Sequence, residues 1–217
     1  MAAKRILLVI GVALVVSGGA GALAALTAAD ESGWWWWYDH DVEENPMPQK
    51  PKTVTPTGDI TLIVGAAEFG PCENVQLDGE LFNDPMGNGE GEFLEPMANG
   101  EECATSLPGC TVEESRPTGF PWGVKLESAT EVVVSGIDIE TEFSEGCKKY
   151  GLPATSTASG TVSGEFSGYV EEKEGHETTP TTFVFNESPG LTVGGVGAKL
   201  DGIFTFGTNL TAEFIPL

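Results

Sequence analysis

Acidic side chains recur through one glycine-rich stretch of the sequence at spacings close to those of a calcium-binding loop. Counted from a first ligand at residue 84, oxygen-bearing side chains fall at loop positions 5, 7, 9 and 12. These candidate metal ligands are Asp84, Asn88, Glu90, Glu92 and Glu95. Met86 stands at loop position 3, where a thioether is no ligand for calcium, and no helix-forming segment flanks the stretch. The stretch is therefore predicted to form an exposed double hairpin. Calcium is the alternative, and no other cofactor is indicated.

A second acidic pattern is the alternating row Asp138, Glu140 and Glu142. Residues two apart on a strand share a face, and paired carboxylates can supply the acid and base of a glycoside hydrolase. The simpler interpretation is a charged solvent face that resists aggregation. His40 and His176 are the histidines of the chain, and they fall in a linker and a hairpin tip. The sequence therefore indicates no catalytic residue and favours a protein that is not an enzyme.

Four cysteines follow an apolar N-terminal segment, as in exported proteins that carry two disulfides. They are Cys72, Cys103, Cys110 and Cys147. A Cys103–Cys110 bond would close a small turn, whereas Cys72–Cys103 with Cys110–Cys147 would tie strands across the fold. The spacing alone leaves the pairing open.

The charge of the chain excludes some partners. There are 33 acidic against 10 basic residues, which gives a net charge of −23. Nucleic acid and anionic lipid head groups need a positive field on the protein, so neither is an expected partner. The acidity is interpreted as a surface charge that keeps the protein soluble.

The N-terminal region divides into two parts. Residues 1–29 are a secretory signal peptide or a signal-anchor helix, because Lys4 and Arg5 precede an apolar run that ends in small residues. Residues 30–57 are predicted to be a disordered linker rich in tryptophan, proline and acids. Its aromatic run is Trp34, Trp35, Trp36, Trp37 and Tyr38. A membrane interface, a partner surface, and packing back onto the domain are the three explanations for that run, in this order.

Residues 58–217 are predicted to form a single extracytoplasmic β domain. In the segment Ser159–Val170, glycine, valine and phenylalanine alternate with serine, threonine and glutamate, which indicates a strand with one buried face. Glycine on the buried face marks a bend or a close approach to another strand. Similar patterns elsewhere predict an all-β fold, an antiparallel sandwich or barrel of about 8–11 short strands.

Three functions follow as hypotheses. The first is a secreted or membrane-tethered envelope protein that binds a partner or has a structural role. The second is a barrel that carries a small apolar ligand in a cavity lined by phenylalanines. These are Phe166, Phe183, Phe185, Phe204 and Phe206. The third is a glycan-processing hydrolase with paired carboxylates. The sequence leaves the oligomeric state open.

Overall fold

Antiparallel strands make up most of the described chain, as the sequence predicts. The architecture comes from a computed structural model, which describes residues 33–39, 51–84, 89–98, 100–101, 103–168 and 180–216. The predicted signal segment at residues 1–29 lies outside the described residues. The strands are β1 (Gly33–Asp39), β2 (Lys52–Val54), β3 (Thr57–Val64), β4 (Ala67–Asn83), β5 (Gly89–Ala98), β6 (Gly100–Glu101), β7 (Val112–Thr118), β8 (Trp122–Leu126), β9 (Glu131–Phe143), β10 (Thr155–Ser167), β11 (Thr182–Val193), β12 (Val196–Thr205) and β13 (Leu210–Pro216).

The strand pairing closes on itself. Neighbours run in the order β10, β11, β12, β3, β4, β5, β8 and β9, and β9 then pairs with β10 again. The strands therefore form a closed ring, the barrel form of the two predicted arrangements. Along the long strands β4 and β9, the ring is completed by β5 and β8 at one level and by β6 and β7 at the other.

Glycine is required at a bulge in β9 and at a close approach between β10 and β11. Gly136 in β9 has φ 71°, and the buried side chains change parity there, from Val134 before it to Ile137 after it, so the strand bulges at this position. Gly160 in β10 has φ 151° and lies against the backbone of Gly190 in β11, so neither position has room for a Cβ atom. Val162 and Phe166 of β10 are buried as the alternation predicts.

The predicted disordered linker at residues 30–57 is wrong for two segments. Gly33–Asp39 is strand β1, which pairs with the last strand β13 in a separate two-stranded sheet. Lys52–Val54 is strand β2, which pairs with β4. Proline and acid density predicted an unpaired backbone, but alternate side chains of each segment reach the core, with Trp37 and Val54 fully buried.

Helical structure is minor in the described part of the chain. One 3-10 helix, Glu145–Tyr150, begins after Ser144 and ends at Gly151 in the left-handed conformation. Within the described ranges, no helix is long and apolar enough to cross a membrane. The count of 8–11 strands is too low for the described chain, because the sequence pattern did not predict strands at β1, β2, β6 and β7.

Candidate functional site

Those predicted calcium ligands that the structure describes do not surround a common point. Glu90, Glu92 and Glu95 lie on the extended strand β5, which is hydrogen-bonded to β4 along its length. Asp84 follows β4, and Asn88 lies outside the described residues. A calcium loop must curl around its ion, which an extended paired strand does not do. Among the residues that the structure describes, no group of three or more potential ligands is positioned to hold a metal ion.

The acidic row on β9 is bridged by an arginine that sequence reasoning missed. Arg116 on β7 donates hydrogen bonds to Glu140 at 2.5 Å and Glu142 at 2.6 Å, and Glu114 lies 3.5 Å away. These contacts raise the pKa of Arg116, first through the hydrogen bond to Glu140. The carboxylates lie on the outer face of the ring and are neutralised in part by one cation. This is a charged surface cluster rather than a cleft with a free acid and base.

One end of the ring, called the closed end, is filled by the N-terminal strand. Trp37 of β1 is 0% exposed and packs its ring against Phe166 and Phe183, with centroids 5.3 and 6.2 Å away. Its backbone exchanges two hydrogen bonds with the Asn83 side chain, and its indole N–H donates to the Glu90 carbonyl at 3.0 Å. The aromatic run is therefore part of the fold at this residue.

The other tryptophans of the run lie in different surroundings. Trp35 packs against the core, and the indole nitrogen of Trp36 is buried with no hydrogen-bond partner among the described residues. Tyr38 is half-buried, and the side chain of Trp34 lies outside the described residues. Burial excludes Trp37 from contact with a membrane or partner. For the other four aromatic residues, that role stays a prediction.

The five phenylalanines expected to line a ligand cavity pack on one another and on Trp37 instead. Phe183 lies 4.5 Å from Phe206 between ring centroids, and Phe185 lies 6.3 Å from Phe204. The space left in the middle of the ring is about 20 Å³, room for about one water molecule and far below the roughly 300 Å³ at which ligand sites begin. The predicted position of the cavity is therefore wrong.

A larger apolar pocket of about 280 Å³ lies at the opposite end of the ring, called the pocket end. Strands β3, β4, β9, β10 and β11 form its walls. Ala158 of β10 lines it, whereas Phe166 at the closed end lies further along the same strand by roughly 26 Å. The lining residues are Leu62, Val64, Ala67, Phe69, Leu107, Thr141, Phe143, Tyr150, Leu152, Ser156, Ala158 and Val193.

The few polar groups in this pocket differ in what they contact. Tyr150, 41% exposed at the rim, donates its hydroxyl to the Pro108 carbonyl at 2.9 Å. Thr141 is only 3% exposed, and its hydroxyl has no hydrogen-bond partner within the described structure. Ser156 is its register partner on β10 and is half-buried. Buried polar atoms are seldom left unpaired, so the Thr141 hydroxyl is an exception within the pocket wall.

Two disulfides hold the rim of the pocket. Cys72–Cys103 joins β4 to the loop that carries Leu107, and Cys110–Cys147 joins that loop to the 3-10 helix. All four sulfurs belong to buried residues. This pairing is one of the alternatives that the sequence left open, and it fixes two otherwise irregular segments at the mouth of the pocket.

Backbone hydrogen bonds complete the attachment of the rim. Gly70 donates to the Ala104 carbonyl at 2.8 Å, and Ser106 donates to the Glu68 carbonyl at 3.0 Å. Lys149 donates to the Pro108 carbonyl at 2.5 Å and lies 4.9 Å from the centre of the Tyr150 ring. The mouth is thus bordered by fixed loops, and none of the lining side chains carries a charge.

Sequence reasoning missed the pocket because its walls come from segments far apart in the chain. Leu107 and Leu152 lie in loops whose sequences read only as turns, and the parity of Thr141 places it on the buried face of β9. That parity was the available signal, since a threonine among Ile139 and Phe143 on the inward face is a polar group in an apolar row.

Comparison of the chain with protein-family models, curated proteins and solved structures finds no match.

Proposed function

We propose that this protein binds a small apolar molecule in the pocket end of its β domain and acts outside the cytoplasm without catalysing a reaction. The observation that carries the proposal is the 280 Å³ apolar pocket with its rim held by two disulfides. Ligand sites are concave, mostly apolar and supplied with a few polar groups, and they generally occupy about 300–1,000 Å³. This pocket lies just below that range.

The volume limits the size of the ligand. At roughly 30 Å³ per non-hydrogen atom, the share of a water molecule in its liquid, the pocket accepts on the order of ten such atoms. The rest of the ring interior is filled, so a longer ligand would have to extend through the mouth. The proposed ligands are therefore compact molecules rather than long-chain lipids.

The extracytoplasmic setting is supported by the disulfides, which persist in oxidising compartments. Measurement of the mass and membrane partition of the expressed full chain tests it. A soluble product shortened by about 24–29 residues supports a cleaved signal peptide, and an intact membrane-bound chain supports a signal anchor. An intact chain in the cytoplasm with free thiols contradicts the proposed location.

Toluene is a suitable first probe for the pocket, because it is neutral and fits within the volume. Titration of the disulfide-bonded full chain with toluene, followed by NMR of methyl groups, is expected to shift Ala158 and Val193 and leave the closed end unchanged. Ala158→Leu occupies part of the pocket, so we expect at least about tenfold weaker binding. Ala154→Leu, on an exposed alanine nearby, is the matched control.

Two results would contradict the proposed function. If toluene shifts no pocket methyl group, or if the two leucine variants bind it as the unsubstituted chain does, the pocket is a packing defect and the proposed function is wrong.

A further inference from the structure

Three aromatic side chains stand among the aliphatic groups of the pocket wall. They are Phe69 of β4, Phe143 at the end of β9 and Tyr150 of the 3-10 helix. The rings of Phe69 and Phe143 pack edge to face, with their centroids 5.2 Å apart and an angle of 65° between their planes. These two residues are buried and Tyr150 lies at the rim, so the pocket has aromatic wall both inside the ring of strands and at its mouth.

The aromatic side chains are held in place by their surroundings. The Tyr150 hydroxyl donates to the Pro108 carbonyl at 2.9 Å, and the Cys110–Cys147 disulfide ties the helix that carries Tyr150 to the same loop. The backbone N–H of Phe143 donates to the Ala154 carbonyl at 2.8 Å. A ring that enters the pocket therefore meets partners that are already ordered, and little binding free energy is lost in fixing them.

We propose that the pocket selects a small neutral molecule that carries one aromatic ring. The inference rests on the proposed function, because it requires that a ligand enter the pocket. Aromatic pairs with centroids about 4.5–7 Å apart are stabilised beyond the contribution of their buried area. The pocket has room for only about ten non-hydrogen atoms. A six-membered ring inside it therefore lies within contact distance of the aromatic walls.

The surroundings favour a neutral ligand over an ion. None of the lining side chains carries a charge, so a carboxylate or an ammonium group would lose its hydration there. The net charge of −23 repels anions further. That charge and the aromatic faces attract cations, but the Lys149 ammonium already lies 4.9 Å from the centre of the Tyr150 ring and repels a second cation at the mouth.

Toluene and methylcyclohexane test the inference, because they have nearly the same shape and only toluene is aromatic. Their dissociation constants are measured by NMR titration for the full disulfide-bonded chain and for Phe143→Leu, which keeps an apolar side chain and removes the ring. The ratio of the two constants cancels any change in pocket volume that affects both ligands. We expect Phe143→Leu to lower the preference for toluene over methylcyclohexane by about two- to tenfold.

Tyr150→Leu is the second variant, because Tyr150 is 41% exposed and its replacement removes no core side chain. It should lower the same preference. Phe185→Leu is the matched control. Phe185 is a buried phenylalanine that packs on Phe204 in the middle of the ring and does not line the pocket. This substitution should leave the ratio unchanged.

The inference is overturned if neither pocket variant changes the ratio, or if Phe185→Leu changes it as much, since the aromatic walls then recognise nothing. It is also overturned if benzylammonium shifts the methyl groups of Ala158 and Val193 at lower concentration than toluene does, since the pocket then serves a cation. In each case toluene still binds to the unsubstituted chain. Failure of the proposed function is distinguished by the absence of that binding.

Discussion

At the closed end of the ring, Trp37 fills the interior and all of its polar atoms have partners. At the pocket end, the same long strands leave about 280 Å³ unfilled and one buried hydroxyl unpaired. The closed end is covered by a regular strand, β1, whereas the pocket end is bordered by loops that disulfides attach. Tight packing stabilises a fold, while ligand sites commonly lie on loops positioned by a rigid scaffold. The contrast gives the first end a role in stability and leaves the second end open for the proposed binding.

The largest loss of stability is expected when the side chain that fills the closed end is removed. Trp37→Ala removes a fully buried aromatic ring that contacts two phenylalanines, and we expect a loss of about 3–5 kcal/mol in the free energy of unfolding. Guanidinium denaturation at fixed salt measures it. Trp36→Phe is the control, because it removes a buried N–H that has no partner, and we expect little change or a gain. Equal losses in both variants would contradict the structural role of Trp37.

Removal of one rim disulfide should affect the two ends differently. Cys110→Ser with Cys147→Ser opens a cross-link between residues 37 apart in sequence, and we expect a loss of roughly 3–4 kcal/mol. Amide hydrogen exchange locates the effect. We expect the 3-10 helix and the segment around Leu107 to lose protection, while the β1–β13 sheet keeps more of it. If protection falls equally at both ends, the rim and the closed end form one cooperative unit.

A larger side chain should be tolerated at the pocket end and should destabilise the fold at the closed end. A Cβ at Gly89 would lie 3.0 Å from the Trp35 carbonyl oxygen and 3.1 Å from the Trp37 indole nitrogen. Gly89→Ala is therefore expected to destabilise the fold by about 1–3 kcal/mol. Ala158→Val extends into the pocket and should change stability by less than about 1 kcal/mol. Thermal denaturation of the two variants checks the difference, and a larger cost at Ala158 would mean that the pocket end is as tightly packed as the closed end.

The smallest effect on stability is expected at an ion pair on the outer surface of the ring, away from both of its ends. A hydrogen bond from Lys199 at 2.6 Å lowers the pKa of Glu187 below its ordinary value of 4.5. The unfolded chain therefore binds a proton more readily, so this contribution to stability is present above pH 4.5 and is lost as the pH falls through the folded pKa. Lys199→Gln should flatten the acid limb of the stability profile slightly. If stability instead falls more steeply with acid in this variant than in the unsubstituted chain, the ion pair does not stabilise the folded state.

Much of the fold followed from local patterns. Alternating residues predicted β10 from Ser159–Val170 and the charged face of β9 at Asp138, Glu140 and Glu142, because the side-chain period of a strand is a local property. The Trp run was assigned to a linker, because the strand that pairs with it lies at the opposite end of the domain sequence.

The candidate site was much less predictable. The acidic residues considered as calcium ligands or as an acid–base pair lie along the faces of strands. The phenylalanines expected around a cavity fill the interior. Arg116 reaches the acidic row only because β7 pairs with β9. These outcomes depend on which strands become neighbours.

The sequence by itself determined an acidic chain, an all-β domain, two faces for its longest strands and four cysteines available for pairing. Composition and the two-residue period of a strand suffice for these properties. The tertiary structure decided the closure of the ring, the disulfide pairing, the filling of one end by Trp37 and the pocket beside Thr141. Each of these joins residues distant in sequence, and the free energy that selects them comes from packing and pairing that exist only once the chain has folded.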